Sequence, residues 1–337
     1  MEKRLRESID KGIDFLYKNQ MLHGEFKTFI SPDTHMKQNN RFVSTTYITT
    51  FVLYSLSFIK DSRIDKMAEK AAQFLLEEME QPGIWRFFTV NRHARLSGGG
   101  LEYYTPLGIV PDLDVVAVVS YFLKNNEIEI PDNVKVFLDN RDEQGLYYTW
   151  LMDVPRREEY TDKTQYLLPR ENDICSGVNT NILFYLGENK YTRPVCDYLN
   201  KLIIEDRVDG SYVYFPNSFT IYYLISRAYC RGAAALEQSR DKAVEKILEM
   251  LEADSTMSPL KTAYAICILQ NYGIHGSIVE KAVRYLMDCQ QADGSWSMET
   301  FYIGGNYFYG SEEFTTAICL EALSRYKYGC GVMPSEA

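Results

Sequence analysis

A short pattern recurs along this chain of 337 residues: an amphipathic helix, a polar residue, a glycine turn, then an aromatic side chain. It is plainest in Ala282-Val-Arg-Tyr-Leu-Met-Asp-Cys-Gln-Gln-Ala-Asp-Gly-Ser-Trp296. Other copies end in His23-Gly-Glu-Phe26, Pro82-Gly-Ile-Trp85, Gln144-Gly-Leu-Tyr147 and Asp209-Gly-Ser-Tyr212, and a degenerate one near Ala253-Asp-Ser-Thr256 lacks the glycine and the aromatic. Internal repetition constrains a fold more than any single residue, because one copy cannot bury its apolar face alone. Glycine takes the left-handed conformation that closes each helix, and the aromatic behind it can fold back and lock the turn. Six helix–turn–helix copies predict an all-α chain in which residues 1–337 form a single (α/α)6 barrel.

A more apolar helix follows each turn. The spacing predicts inner helices at about 43–59, 113–125, 178–187, 218–232, 259–272 and 313–328. Segments such as Thr46-Tyr-Ile-Thr-Thr-Phe-Val-Leu-Tyr-Ser-Leu and Thr315-Thr-Ala-Ile-Cys-Leu-Glu-Ala-Leu are apolar on most faces, as burial on two sides requires. Outer helices such as Ile64–Glu80 and Asp241–Leu251 carry one apolar stripe. Inner-to-outer links (Lys60–Arg63, Gly187–Lys190, Gly273–Gly276) are short. Outer-to-inner links (Lys27–Arg41, Arg86–Val110, Tyr148–Cys175, Ser297–Ser311) are long and read as loops. Alternation puts the long links and all inner-helix N-termini at one mouth, where a site is expected.

Charge and composition narrow the function. A net charge of −10 speaks against general nucleic-acid binding, which needs a basic surface. No apolar run reaches the length of a membrane span and the charged N-terminus lacks a secretion signal, so a soluble, cytoplasmic protein is expected. The seven cysteines form no C-x-x-C pair and the four histidines are scattered, which points away from a disulfide framework or a zinc site. Aromatic residues make up 14% of the chain, enough for either a bulky core or an aromatic-lined cavity.

The glutamine or aspartate, glycine, aromatic turns resemble the QW repeats of squalene–hopene cyclases and other class II terpene cyclases, which implies a terpenoid cyclase/protein prenyltransferase-like toroid. The segment Val110-Pro-Asp112-Leu-Asp114-Val-Val-Ala117-Val-Val119 is similar to their D-x-D-D-T-A motif, with Val115 in place of the third aspartate and Val116 in place of threonine. That resemblance implies that Asp114 is the Brønsted acid and Asp112 its flanking carboxylate, acting on farnesyl or geranylgeranyl diphosphate. Most such enzymes hold the substrate between two barrels, and this chain has length for one. Closure of the site is then left to loops, to a second copy of the chain or to a partner domain, and an isoprenoid ligand leaves peripheral membrane contact open. Protein prenyltransferase β-subunits share the barrel but need a zinc-binding histidine. Tyr309-Gly-Ser-Glu-Glu-Phe-Thr-Thr has none there, so zinc-dependent prenyl transfer is rejected.

Protonating an alkene needs a carboxylic acid kept neutral in a dry pocket. Burial and a like-charged neighbour both raise a carboxyl pKa, whereas a helix N-terminus favours the carboxylate. Asp112 as the cap would absorb most of the latter effect. The bland alternative is a simple cap at Asp112 with Asp114 a solvated first-turn acid. A carbocation also needs aromatic faces. Tyr47, Phe51, Tyr121, Phe184, Tyr222, Tyr223, Tyr264 and Phe314 are candidates, with core packing as the alternative for each. The expected substrate-binding set is Tyr47, Trp150, Asn179, Asn181, Tyr222 and Phe314, and Arg92 and Arg95 are the expected diphosphate ligands. No cofactor is called for by the residues themselves, although Mg2+ would accompany a diphosphate. Two other classes stay open: a carbohydrate-active barrel pairing Asp112 or Asp114 with Glu312 or Glu313 along a groove lined by Trp85 and Trp150, and a non-catalytic isoprenoid-binding or partner barrel.

Overall fold

The computed structural model describes residues 1–89, 108–155, 171–253 and 257–329, together with the backbone of residues 166–167. Among the described residues the inner helices are α2 (Tyr47–Leu56), α4 (Leu113–Asn125), α6 (Ser176–Leu186), α8 (Ser218–Cys230), α10 (Pro259–Asn271) and α12 (Glu312–Tyr328). The outer helices are α1 (Glu2–Asn19), α3 (Ser62–Glu77), α5 (Val134–Leu138), α7 (Arg193–Ile204), α9 (Arg240–Ala253) and α11 (Ser277–Cys289). Each inner helix packs against the next, and α12 packs against α2, so the inner ring is closed. Inner helices are buried all round: every residue from Glu313 to Arg325 of α12 is buried. In outer α11 burial follows one stripe, Val279, Ala282, Val283, Leu286 and Met287, the spacing of a one-faced helix. No described helix is long and apolar enough to cross a membrane. The six cysteines among the described residues are all free.

The repeat turns are built alike. Gly24 and Gly294 have φ of 106° and 96°. A Cβ on either would lie 2.2 or 2.3 Å from a backbone oxygen, of Lys70 and Lys11 respectively, so both the backbone angle and the close approach demand glycine. Gln20 Nε2 donates to the carbonyls of Gly24 and Met67, and Gln290 Nε2 donates to those of Gly294 and Ser8. The turn aromatic folds back on the preceding outer helix. Trp85 Nε1 donates to Leu75 O at 2.7 Å and Trp296 Nε1 to Leu286 O at 2.8 Å. The aromatic's own N–H is taken by a polar side chain of the following inner helix, as from Phe26 to Thr49 Oγ1 (3.0 Å) and from Trp296 to Thr316 Oγ1 (3.1 Å).

All four long links carry strand, and two of them build a sheet. Strands β1 (Thr28–Ser31), β2 (Arg41–Val43), β5 (Glu299–Gly304) and β6 (Tyr307–Ser311) form an antiparallel sheet in the order β2-β1-β6-β5. Phe301, Tyr302 and Ile303, and then Tyr307, Phe308 and Tyr309 across a Gly-containing turn, are strong strand formers that pair as a local hairpin, and its second strand also pairs with β1. Two further short strands, β3 (Gly108–Ile109) and β4 (Tyr166–Leu167), pair in parallel.

Candidate active site

Asp112 caps α4. Its backbone is extended (φ −119°, ψ 148°) and Oδ1 accepts from Val115 N at 2.8 Å. The residue is 3% exposed, and Oδ2 is buried with no hydrogen-bond partner. Burial first, and the adjacent Asp114 carboxylate second, push the Asp112 carboxyl well above the ordinary range. Its main chain is bridged to Trp150.

Asp114 lies just inside the same helix and is 4% exposed. Asn181 Nδ2, on α6, donates to its Oδ1 at 2.6 Å, and the Tyr47 hydroxyl on α2 also bonds the carboxylate. Burial raises this carboxyl to about 6, opposed in order by Asn181, Tyr47 and the charge of Arg227. Asp112, with a bare oxygen, holds its proton more tightly, and Asp114, with two donors, ionises first.

Arg227 on α8 is 2% exposed, and one of its Nη groups donates to Asn181 Oδ1. Its guanidinium lies over four rings, Phe184 at 4.1 Å, Tyr54 at 4.8 Å, Phe51 at 4.9 Å and Tyr223 at 5.8 Å. Nearby, Tyr47, Phe51, Phe215, Thr220, Tyr223, Leu224, Tyr264, Phe301 and Phe314 surround a hollow of about 10 Å³, room for about one water. Tyr302 of β5 packs above, stacked on Phe87 (5.0 Å) and Tyr214 (5.7 Å) and 6.2 Å from Tyr47. Burial first, then the charge of Asp112, pushes the Tyr302 phenol well up.

The sequence-predicted residues divide. Asp112, Asp114, Asn181 and Tyr47 come together, and Tyr47 and Phe314 line the hollow. Trp150 stands beside Asp112 rather than in the hollow lining. Its Nε1 donates to Tyr214 OH at 2.9 Å and Asp173 Oδ2 at 3.3 Å, and Asn172 clamps its backbone. Asn179 does not face the hollow: both ends of its amide are spent on Tyr147, accepting from N at 2.8 Å and donating to O at 2.9 Å. It does what Thr49 and Thr316 do in other copies. Tyr222 is also elsewhere. Its phenol senses Asp206 and Asp209, and its neighbour Tyr223, about 100° round the helix, lines the hollow instead. Arg92 and Arg95 lie outside the described residues.

Sequence reasoning missed Arg227 and Tyr302. Arg227 carried a signal, a basic residue inside the otherwise uncharged inner segment Ser218–Cys230. Tyr302 carried one as well, its place in an aromatic run facing Tyr307–Tyr309 across a glycine turn, the pattern of a hairpin. The groove expected for a carbohydrate is not formed by Trp85 and Trp150. Trp85 is fully buried with its Nε1 bonded to Leu75, and Trp150 is 5% exposed. Glu313 is paired with Lys27 at 3.2 Å and Glu312 accepts from Ser295 at 3.2 Å. Arg86, another basic residue of the long links, pairs with Glu80 at 2.7 Å. Among the described residues no group of three or more His, Cys, Asp or Glu side chains converges as a metal ion would require.

No family model and no curated protein matches the chain in sequence. Solved structures do match in fold. The type II terpene cyclase MstE from Scytonema (apo) superposes with a TM-score of 0.70 at 14% identity, covering 96% of this chain and 99% of that one. A novel alpha-amylase from Clostridium perfringens matches with a TM-score of 0.53 at 11% identity, covering 95% of this chain and 98% of that one. At these identities the likeness speaks for the fold: the chain is a helical toroid of the kind found in a type II terpene cyclase, with a small antiparallel sheet added.

Proposed function

We propose that the chain is a class II terpene cyclase-like enzyme that protonates a linear prenyl diphosphate, farnesyl or geranylgeranyl, with Asp114 as general acid. The observation that carries this reading is the pair of buried carboxyl groups at an inner-helix start beside an aromatic-lined hollow. Asp112 keeps its own proton. Asp114, raised to about 6, is the carboxyl whose proton affinity lies closer to neutral pH, where general acids work best. Its proton adds to one carbon of the terminal alkene and leaves a cation on the other. The next π bond attacks that cation to close a ring; a carbon then gives up a proton to water, and the Asp114 carboxylate takes one back from water, which restores the acid. The faces of Phe51, Tyr223, Tyr264 and Phe314 offer the cation stabilisation without a nucleophile. Entry of an isoprenoid chain requires the aromatic lining to open, since the hollow holds about one water.

The carbohydrate reading draws on the match to an alpha-amylase. Against it, Glu312 and Glu313, the acids it would pair with Asp112 or Asp114, are engaged by Ser295 and Lys27. A non-catalytic isoprenoid-binding barrel would bind the same ligands without converting them. Incubation with each prenyl diphosphate and Mg2+, followed by analysis of the products, separates the three: cyclic products are expected from farnesyl or geranylgeranyl diphosphate. Asp114→Asn is expected to lower turnover at least about 100-fold, and unchanged turnover in that variant would end the assignment. The rate should fall about tenfold per pH unit above about 6, as the protonated fraction of Asp114 falls.

A further inference from the structure

We propose that Arg227 is a positioning residue for proton delivery, fixing the orientation and the acid strength of Asp114 through the side-chain amide of Asn181. The proposal deepens the reading of Asp114 as the acid and rests on it for its catalytic meaning.

The chain of contacts is direct. Asn181 donates through Nδ2 to Asp114 at 2.6 Å and accepts at Oδ1 from Arg227. Only one orientation of the amide satisfies both partners, because Arg227 can only donate and an ionised Asp114 can only accept. The guanidinium polarises the amide, and the N–H end that meets the carboxylate becomes a stronger donor. Asn181 is itself fully buried, so water does not compete for either contact.

The placement of the cation is costly, which is why its lack of a local counter-ion matters. Burying a charge costs several kcal/mol unless it is paired. Among the described residues no carboxylate lies in ion-pair contact with Arg227, and its Nε has no hydrogen-bond partner. Four aromatic faces hold the group and exclude solvent, and they do not neutralise it. Its field therefore reaches Asp114 with little screening. The other groups facing Asp114 are the Tyr47 hydroxyl from α2, Asp112 from its own helix start, Tyr302 from β5 and the Cys175 thiol ahead of α6. Of these described groups Arg227 alone is a cation. It opposes the burial that would otherwise make Asp114 too weak an acid to protonate an alkene.

Carboxyl-labelled aspartate in the full-length chain tests this directly. The Asp114 signal is assigned by its loss in Asp114→Asn and titrated by NMR. Arg227→Gln should raise the Asp114 midpoint by about one pH unit or more, while Arg227→Lys, which keeps the charge, should hold it close to wild type. The upper limb of the pH–rate profile should move the same way. A folded Arg227→Gln protein with an unmoved midpoint overturns the proposal, as does a lysine variant that shifts as far as the glutamine one. Should Arg227→Gln fail to fold, Asn181→Leu cuts the relay instead, and an unmoved midpoint there is equally fatal. If wild type converts no prenyl diphosphate, the cyclase reading fails, whereas the titration still decides whether Arg227 sets Asp114.

Discussion

Two arginines are buried inside the ring of inner helices, and they are held in opposite ways. Arg325 on α12 meets Glu321, one turn earlier on its own helix, at 3.0 Å, and donates to Asn271 of α10. Glu321 is held in turn by Ser55 Oγ at 2.9 Å and Tyr223 OH at 2.8 Å. Arg227 on α8 makes the same kind of arginine-to-asparagine contact, with Asn181 of α6, but has no acid on its own helix. Its charge is directed instead to Asp114, beyond the amide. A charge neutralised one turn away on its own helix serves the packing of that helix. A charge passed through an amide to an acid on a different helix is available to chemistry.

The contrast breaks most readily at Glu321. Glu321→Ala strands Arg325 as an uncompensated buried cation and should cost about 3–5 kcal/mol of unfolding free energy in urea denaturation. Arg227→Gln removes a buried cation that no carboxylate neutralises, so unfolding free energy should change by no more than about 1 kcal/mol in either direction; a loss equal to that of Glu321→Ala would erase the distinction. The next effect is a pH dependence. The Asp114 carboxyl is raised in the folded chain from 3.8 to about 6, so its folded form binds a proton more tightly than its unfolded form. That contribution is fully present below pH about 4 and is lost as pH rises through about 6, a loss of about 3 kcal/mol. Asp114→Asn should flatten this limb relative to wild type. The smallest effect is expected at Arg231, an exposed residue whose guanidinium lies 4.3 Å from the centre of the Tyr121 ring. Arg231→Ala should cost about 0.5 kcal/mol and leave the Asp114 titration in place.

The helical part of this molecule was legible because its signals are local. Turn glycines, fold-back tryptophans and the apolar inner segments each depend on residues within one copy, and the observed inner helices fall within a few residues of the expected spans. The sheet was not legible, since β1 pairs with β6 from the opposite end of the chain. Asp112 and Asp114 could be singled out because Val110–Val119 resembles the D-x-D-D-T-A segment of class II terpene cyclases, whereas a cap with a first-turn acid is common to many helices. Asn179 is polar at an inner-helix start, as a pocket residue would be, and only its equivalence in the repeat to Thr49 and Thr316 points to the turn it closes. Tyr222 and Tyr223 are adjacent, so only the rotation of α8 about its own axis, a tertiary fact, decides which one meets the hollow.

The pairing of β1 with β6 joins the first repeat to the last, and Gln290 reaching back to Ser8 fastens them a second time. An open solenoid can gain or lose a unit at either end and remain a solenoid. A stitched circle cannot: inserting a seventh copy or deleting one would pull Thr28–Ser31 out of register with Tyr307–Ser311 and expose strand edges. The number of copies is thereby locked, and evolution of this scaffold is confined to its links and its lining.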